Sequence, residues 1–266
     1  MEITERTFVV TGGGNGIGRE VVLQLLRRGA RVAAVDLSEE GLAETARLGA
    51  AGARLSTHRL SVADRAAVEA LPDAVLAAHG QVDGLLNVAG IIQPFQRIGE
   101  LPFEQIERVM QVNFWGVVHT VTAFLPLLRA RPAASVVNVS SMGALAPVPG
   151  QSAYGASKAA VKLLTEGMHA ELEGTPVAVT VVFPGGVGTN ITGNSGVTMR
   201  RTADASASAG SLTSPEDAAR QIVEAVASGA PRVVIGKDAR ALDRLARLMP
   251  SKVGGIIAKK MRGLLD

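Results

Sequence analysis

The stretch VVTGGGNGIGRE, residues 9–20, decides how the whole chain is read. A β-branched run (TFVVT, 7–11) enters a glycine cluster, and a helical pattern over 16–28 leaves it. Gly12, Gly16 and Gly18 let the backbone turn sharply and come close to a bound group. The helix that follows offers free N–H groups at the positive end of its dipole. A glycine cluster alone is also what a plain tight turn looks like. A strand before it and a helix after it mark the phosphate-binding turn of a dinucleotide site. Asp36 ends the next β-branched run, RVAAVD (31–36), 18 residues after Gly18. A carboxylate there accepts hydrogen bonds from both hydroxyls of an adenosine ribose and repels a 2′-phosphate, so it predicts NAD over NADP. Asn15 adds no positive charge to the turn, and Arg19 is the nearby cation that would soften the preference.

The alternation continues along the chain. A helical pattern covers 39–48, then ARLSTHR (53–59) reads as a third strand, with a helix over about 64–79. VDGLLNVAG (82–90) begins as a fourth strand, and 103–129 is a long helical region that Pro126 should bend or end. ASVVNVS (134–140), VAVTVVF (177–183) and RVVIG (232–236) read as strands five to seven, separated by helices at 152–173 and 214–228. Such an order predicts an α/β fold: a doubly wound, Rossmann-type sheet of seven mostly parallel strands with helices on both faces. Residues 1–237 read as one domain. Within it, the Gly-, Ser-, Thr- and Ala-rich stretch 189–212 reads as a lid. Residues 238–266 read as a basic helical C-terminal extension.

Composition removes several chemistries. The 266 residues are 47 % hydrophobic and 19 % charged, the balance of a globular chain. There is no cysteine, which excludes disulfides, thiolate nucleophiles and Cys-ligated metals. The four histidines (58, 79, 119, 169) have no metal-ligand spacing, so no metal site is expected. Tyr154 is the single tyrosine, so any phenol chemistry must use it. Acids precede the short apolar run at the N-terminus, unlike a signal peptide, and no apolar stretch reaches the ~18 residues of a membrane span. A cytoplasmic protein that binds no nucleic acid is the expectation. The net charge of +3 is uneven: residues 230–266 carry nine Lys/Arg against three Asp, so the rest is mildly acidic. This tail has Leu242, Leu245, Leu248 and Met249 at helical spacing, with Pro250, Gly254 and Gly255 expected to break it in two. It suits either a solvated helix or subunit contact, or peripheral contact with an anionic membrane.

SAYGASKAA (152–160) places Tyr154 four residues before Lys158, on one helical face. Alone, this could be a surface pair. With NVAG (87–90), QVNFWGV (111–117), NVSS (138–141) and PGGVGT (184–189) in this order, the chain resembles the short-chain dehydrogenases/reductases over about residues 5–236. The resemblance implies catalytic roles for Asn113, Ser141, Tyr154 and Lys158, with Ser140 the less favoured serine. It implies cofactor contacts from Gly12, Asn15, Gly16, Ile17, Gly18 and Asp36. Ser61 and Val62 would lie at the adenine, Asn87 would steady the sheet, and Ala89 and Gly90 would lie beside the cofactor. Tyr154 and Lys158 would face the nicotinamide ribose, while Pro184, Gly185, Val187 and Thr189 would grip the carboxamide. Many relatives carry an acid where LSVAD (60–64) has Ser61, so the adenine contact departs from the family pattern.

The activity implied is hydride exchange between NAD(H) and a secondary alcohol or carbonyl compound, with Tyr154 as general acid/base. A free phenol titrates at about 10, and the Lys158 ammonium together with the positive nicotinamide ring is expected to lower that value. Asn113 would hold a water linking Lys158 to solvent. Residues 91–95, 142–151, 185–186 and the lid, mostly apolar or small, predict a hydrophobic substrate, with Arg200 and Arg201 as lid cations. In the family the chain resembles, the helices within 103–129 and 152–173 usually form subunit interfaces, so the resemblance implies a homodimer or homotetramer. Two other readings stay open: a nucleotide-sensing regulator that keeps the fold without turnover, and a membrane-associated lipid-modifying enzyme anchored by the basic tail.

Overall fold

Val9 and Val10, neighbours on the first strand, bury their side chains on opposite faces of one sheet. The two-residue period of a strand repeats this split at Leu85 and Leu86 and at Val136 and Val137. Two apolar layers result, and each fully buried Val or Leu contributes about 1.5–3 kcal/mol. The computed structural model describes residues 1–197 and 212–260. Most of the expected lid, with Arg200 and Arg201, and the last part of the tail (261–266) lie outside the described residues.

The strands are β1 (Thr7–Thr11), β2 (Arg31–Asp36), β3 (Leu55–Arg59), β4 (Gly84–Asn87), β5 (Ala134–Val139), β6 (Val177–Pro184) and β7 (Arg232–Ile235). They lie in the order β3-β2-β1-β4-β5-β6-β7, and every neighbouring pair is parallel. The order reverses between β1 and β4, so a crevice opens at the carboxyl ends of those strands, where ligands of open α/β sheets bind. One face is covered by α1 (Gly16–Arg27), through Val21, Val22, Leu25 and Leu26, and by Ala218, Ile222, Val223 and Val226 of Pro215–Ser228. Between these come α2 (Glu39–Gly49), α3 (Arg65–His79), α4 (Phe103–Met110), α5 (Gly116–Arg129), α6 (Ser152–Glu171) and a single turn, α7 (Ile191–Asn194), which makes Pro215–Ser228 α8. The opposite face is covered by Leu71 and Val75 of α3, Val117, Val121, Phe124 and Leu128 of α5, and Val161 and Met168 of α6.

Local signals set the helix starts. Ser38, Asp64 and Ser214 cap α2, α3 and α8, their side chains accepting the N–H of Gly41, Ala67 and Asp217 at 3.0, 3.1 and 3.1 Å. Three boundaries differ from expectation. β3 begins at Leu55, because Gly52–Arg54 form a 3-10 turn. The long helical region breaks not at Pro126 but in a π-turn over Gln111–Trp115. Pro126 sits within the last turn of α5, where losing one N–H is offset by the packing of Phe124 and Leu128. In the tail, α9 (Lys237–Leu248) and α10 (Val253–Lys260) are separated around Pro250, whereas Gly254 and Gly255 lie inside α10. Among the described residues no helix is long and apolar enough to cross a membrane, and no cluster of metal-ligating side chains exists.

Candidate active site

β1 ends at Thr11, whose buried Oγ1 accepts the N–H groups of Val88 and Ala89 at 3.1 and 3.2 Å. This draws the NVAG segment against the glycine turn. A Cβ on Gly12, at φ +72°, would lie 2.9 Å from the Ala89 nitrogen, and one on Gly18 would lie 2.0 Å from the Gly12 carbonyl oxygen. The turn can therefore approach β4 and launch α1 only without side chains. Over it opens a cavity of about 930 Å³, lined by Gly12, Asn15, Gly16, Ile17 and Gly18 and also by Ser141, Tyr154 and Lys158.

Asp36, Ser61 and Val62 line the same cavity. Asp36 Oδ2 accepts the Gly14 N–H and Oδ1 the Ser38 N–H, both at 2.9 Å, which fixes the carboxylate at the end of β2. Arg19 does not line the cavity. Its guanidinium donates to the Gly14 carbonyl and, at 3.1 Å, to Thr45 Oγ1, so it binds the turn together from behind. Ser61 Oγ accepts the Ala63 N–H at 3.3 Å and so shapes its own turn.

The two serines after β5 part company. Ser140 is 2 % exposed and donates its hydroxyl to the Lys158 carbonyl at 2.7 Å, a bond that holds α6 to the sheet. Ser141 Oγ accepts the Gly143 N–H at 3.1 Å and lies near enough to the Tyr154 phenol to pull its pKa down. A Cβ on Gly143 would lie 3.6 Å from both Ser141 Oγ and Tyr154 Cε1, so the two groups border one small space. Tyr154 is aimed there by Gln93, a fully buried side chain whose Oε1 accepts the Tyr154 N–H at 2.9 Å, at the first turn of α6.

Lys158 is 4 % exposed and donates Nζ to the Val139 carbonyl at 3.0 Å. Burial lowers its pKa to about 8. In the chain without a bound cofactor the phenol is shifted the other way. Burial pushes the Tyr154 pKa up, the nearby Ser141 hydroxyl pulls it down, and the balance is a raised value. The phenol is held protonated here, and the lysine ammonium is engaged on a carbonyl.

Two of the expected residues lie outside the cavity lining. Asn113, fully buried in the π-turn, accepts the Ile91 N–H and donates to the Ile91 carbonyl, both at 2.9 Å, and donates to Ser157 Oγ at 3.0 Å. Its amide pins the chain just after Gly90, where a Cβ would lie 3.1 Å from Lys158 Nζ. Asn87 donates to Asn138 Oδ1 at 2.9 Å and accepts the Thr120 hydroxyl at 2.8 Å, while Asn138 donates to Thr165 Oγ1 at 3.0 Å. This buried polar chain runs from α5 through β4 and β5 to α6. It fixes the sheet beneath the site, and Asn87 has no cavity face.

Pro184, Gly185, Val187 and Thr189 all line the cavity. Gly185 donates its N–H to the Ile235 carbonyl at 2.9 Å, Gly188 to the Thr213 carbonyl at 3.0 Å and Thr189 to the Val187 carbonyl at 2.8 Å. Gly186 donates to Asp238 Oδ2 at 2.7 Å. The Val187 N–H donates to no described residue. A bare-backbone cradle at one part of the cavity and an amide N–H without a partner among the described residues at another fit a dinucleotide with a carboxamide head. The remaining wall is apolar, with Ile91, Ile92, Phe95, Met142, Val148 and Leu212. Gln93, Thr11 and Asp238 were not foreseen. Thr11, directly before the glycines, is the one with a readable position, because a strand-end hydroxyl is poised to meet backbone N–H groups. Gln93 and Asp238 act across 61 and 52 residues of sequence, which no local pattern reveals.

Known proteins place the chain. The family model described as short chain dehydrogenase matches residues 6–199. The Mycobacterium tuberculosis protein named as the oxidoreductase SadH is 43 % identical over 260 residues, covering 95 % of this chain and 94 % of that protein. The 1-deoxy-11-beta-hydroxypentalenate dehydrogenase of Streptomyces exfoliatus is 34 % identical, covering 90 % and 86 %. Among solved structures, a short-chain dehydrogenase/reductase from Burkholderia phymatum in complex with NAD superposes with TM-score 0.85 at 30 % identity, covering 93 % of this chain and 95 % of that one. A short-chain dehydrogenase from Burkholderia cenocepacia in complex with NADP superposes with TM-score 0.80 at 25 % identity, covering 97 % and 99 %. The chain belongs to the short-chain dehydrogenase/reductase family.

Proposed function

We propose that this protein is an NAD(H)-dependent oxidoreductase that interconverts a secondary alcohol and a carbonyl compound, with Tyr154 as general acid/base. The carrying observation is the small space bordered by Ser141 Oγ and the Tyr154 ring in the same cavity as the glycine turn. The nicotinamide cofactor, when bound, supplies or accepts the hydride. Everything else is done by the chain. Ser141 holds and polarises the substrate oxygen. Tyr154, kept protonated by burial, donates its proton to that oxygen during reduction and must lose it before acting as the base for oxidation. Lys158 supplies positive charge beside the phenol once a bound ribose competes with the Val139 carbonyl for its Nζ.

NAD is favoured over NADP on one argument. Asp36 lines the cavity with a fixed carboxylate, and the nearby guanidinium of Arg19 is spent on the turn. A 2′-phosphate would meet the negative charge of this carboxylate. A hydrophobic substrate is favoured by the apolar wall around Ser141. Exposed Phe103, Trp115 and Leu163, at 67, 44 and 69 % exposure on the α4–α6 side, support a homodimer or homotetramer.

The test is Tyr154→Phe. Turnover of a panel of secondary alcohols with NAD should disappear while NADH binding, read by its fluorescence, survives. A variant that still turns over would remove the phenol from the mechanism.

A further inference from the structure

The C-terminal extension contributes a side chain to the site from behind its wall. Asp238 stands in the first turn of α9, and its carboxylate occupies a nook formed by three glycines. A Cβ on Gly185 would lie 2.2 Å from Asp238 Oδ1, one on Gly236 would lie 2.4 Å from the same atom, and one on Gly186 would lie 3.5 Å from Oδ2. Oδ2 accepts the Gly186 N–H at 2.7 Å. Gly185 and Gly186 line the cavity and Asp238 does not, so the carboxylate grips this loop from its outer side.

The grip has a consequence for the loop. Gly186 is held on both of its polar groups, since its carbonyl accepts the Thr213 N–H at 2.9 Å. With Gly185 tied to Ile235 and Gly188 to Thr213, the peptide plane between Gly186 and Val187 cannot rotate freely. That plane carries the Val187 N–H, which donates to no described residue. Asp238 is the one side chain in this set of bonds; the others are backbone. The extension also packs elsewhere on the domain: Val253 is buried, and a Cβ on Gly254 would lie 3.1 Å from Pro147.

We infer that Asp238 is a positioning residue: through the Gly186 N–H it orients the Val187 amide toward the carboxamide end of the dinucleotide, so the extension completes the cofactor site in cis. This rests on the dinucleotide reading above. It predicts that losing the acceptor weakens only the nicotinamide half of binding. Asparagine keeps an oxygen that can accept the Gly186 N–H, whereas alanine does not.

The experiment compares NADH with ADP-ribose, which has the adenine and pyrophosphate but no nicotinamide, on the full-length wild type, Asp238→Ala and Asp238→Asn. Asp238→Ala should weaken NADH by about 3- to 10-fold, the range of one hydrogen bond, leave ADP-ribose within twofold (~0.4 kcal/mol), and be rescued by Asp238→Asn. Equal loss of both ligands would mean general loosening and overturn the inference, as would unchanged NADH affinity in Asp238→Ala. A wild type that binds ADP-ribose but gains nothing from the nicotinamide would overturn it too. A wild type that binds neither ligand would instead overturn the dinucleotide reading beneath it, and this inference with it.

Discussion

Ser140 and Ser141 are adjacent in sequence and point to different partners: Ser140 Oγ donates to the Lys158 carbonyl at 2.7 Å, while Ser141 Oγ accepts the Gly143 N–H at 3.1 Å in the space bordered by the Tyr154 ring. One hydroxyl fixes the helix that carries the reactive groups, and the other meets the reacting space. The chain leaves β5 at Val139, and Ser141 already caps the 3-10 turn Met142–Ala144, so the two hydroxyls serve different segments.

The two serines should therefore separate stability from turnover. Ser141→Ala should reduce kcat by roughly 10²- to 10³-fold, the effect of removing one preorganised donor, with NADH affinity and melting temperature nearly unchanged. Ser140→Ala should lose about 1 kcal/mol of stability and keep kcat within a few-fold. Thermal unfolding and steady-state kinetics on both variants would show it. The reverse pattern would reassign the serines.

Asp36 predicts a shift in cofactor choice. Asp36→Asn keeps an oxygen for the Gly14 or Ser38 N–H but removes the charge that faces a 2′-phosphate. The ratio of NADPH to NADH affinity should rise by roughly 10- to 100-fold, as expected when a like-charge contact is relieved. An unchanged ratio would mean that the carboxylate does not set the preference.

Much of this was legible in the sequence, and for identifiable reasons. The sheet could be read because short β-branched runs alternate with helical periods, and right-handed crossovers make it doubly wound; the order β3-β2-β1-β4-β5-β6-β7 comes from the structure. The glycine turn could be read because only backbone fits at Gly12 and Gly18, so the requirement is written in the residues themselves. What stayed hidden depends on contacts between distant segments. Pro126 is a local signal for a helix break, yet packing of Phe124 and Leu128 carries the helix past it. The break falls instead at Asn113, whose amide is claimed by Ile91 on another segment. The burial of Tyr154 was likewise not readable, because it is a property of the folded cavity; in the chain without cofactor it pushes the phenol up.

Lys158 provides a pH-dependent signature in the folding equilibrium. Its pKa is about 8 in the folded chain against the usual 10.5, because burial penalises the ammonium. Below about pH 8 both states are protonated and the folded state bears the full penalty. Between about 8 and 10.5 the unfolded chain binds a proton that the folded chain does not, so this residue makes stability rise with pH. Lys158→Met removes the group from both states. The loss of its bond to the Val139 carbonyl adds an offset of about 1 kcal/mol, less dependent on pH. The melting temperature of Lys158→Met minus that of the wild type should therefore fall steadily as pH climbs through this window, while every other titrating group cancels in the difference. Paired thermal melts in matched buffers would record it. A flat difference would mean that the lysine keeps its charge throughout the window, and a rising one would mean that folding raises its pKa.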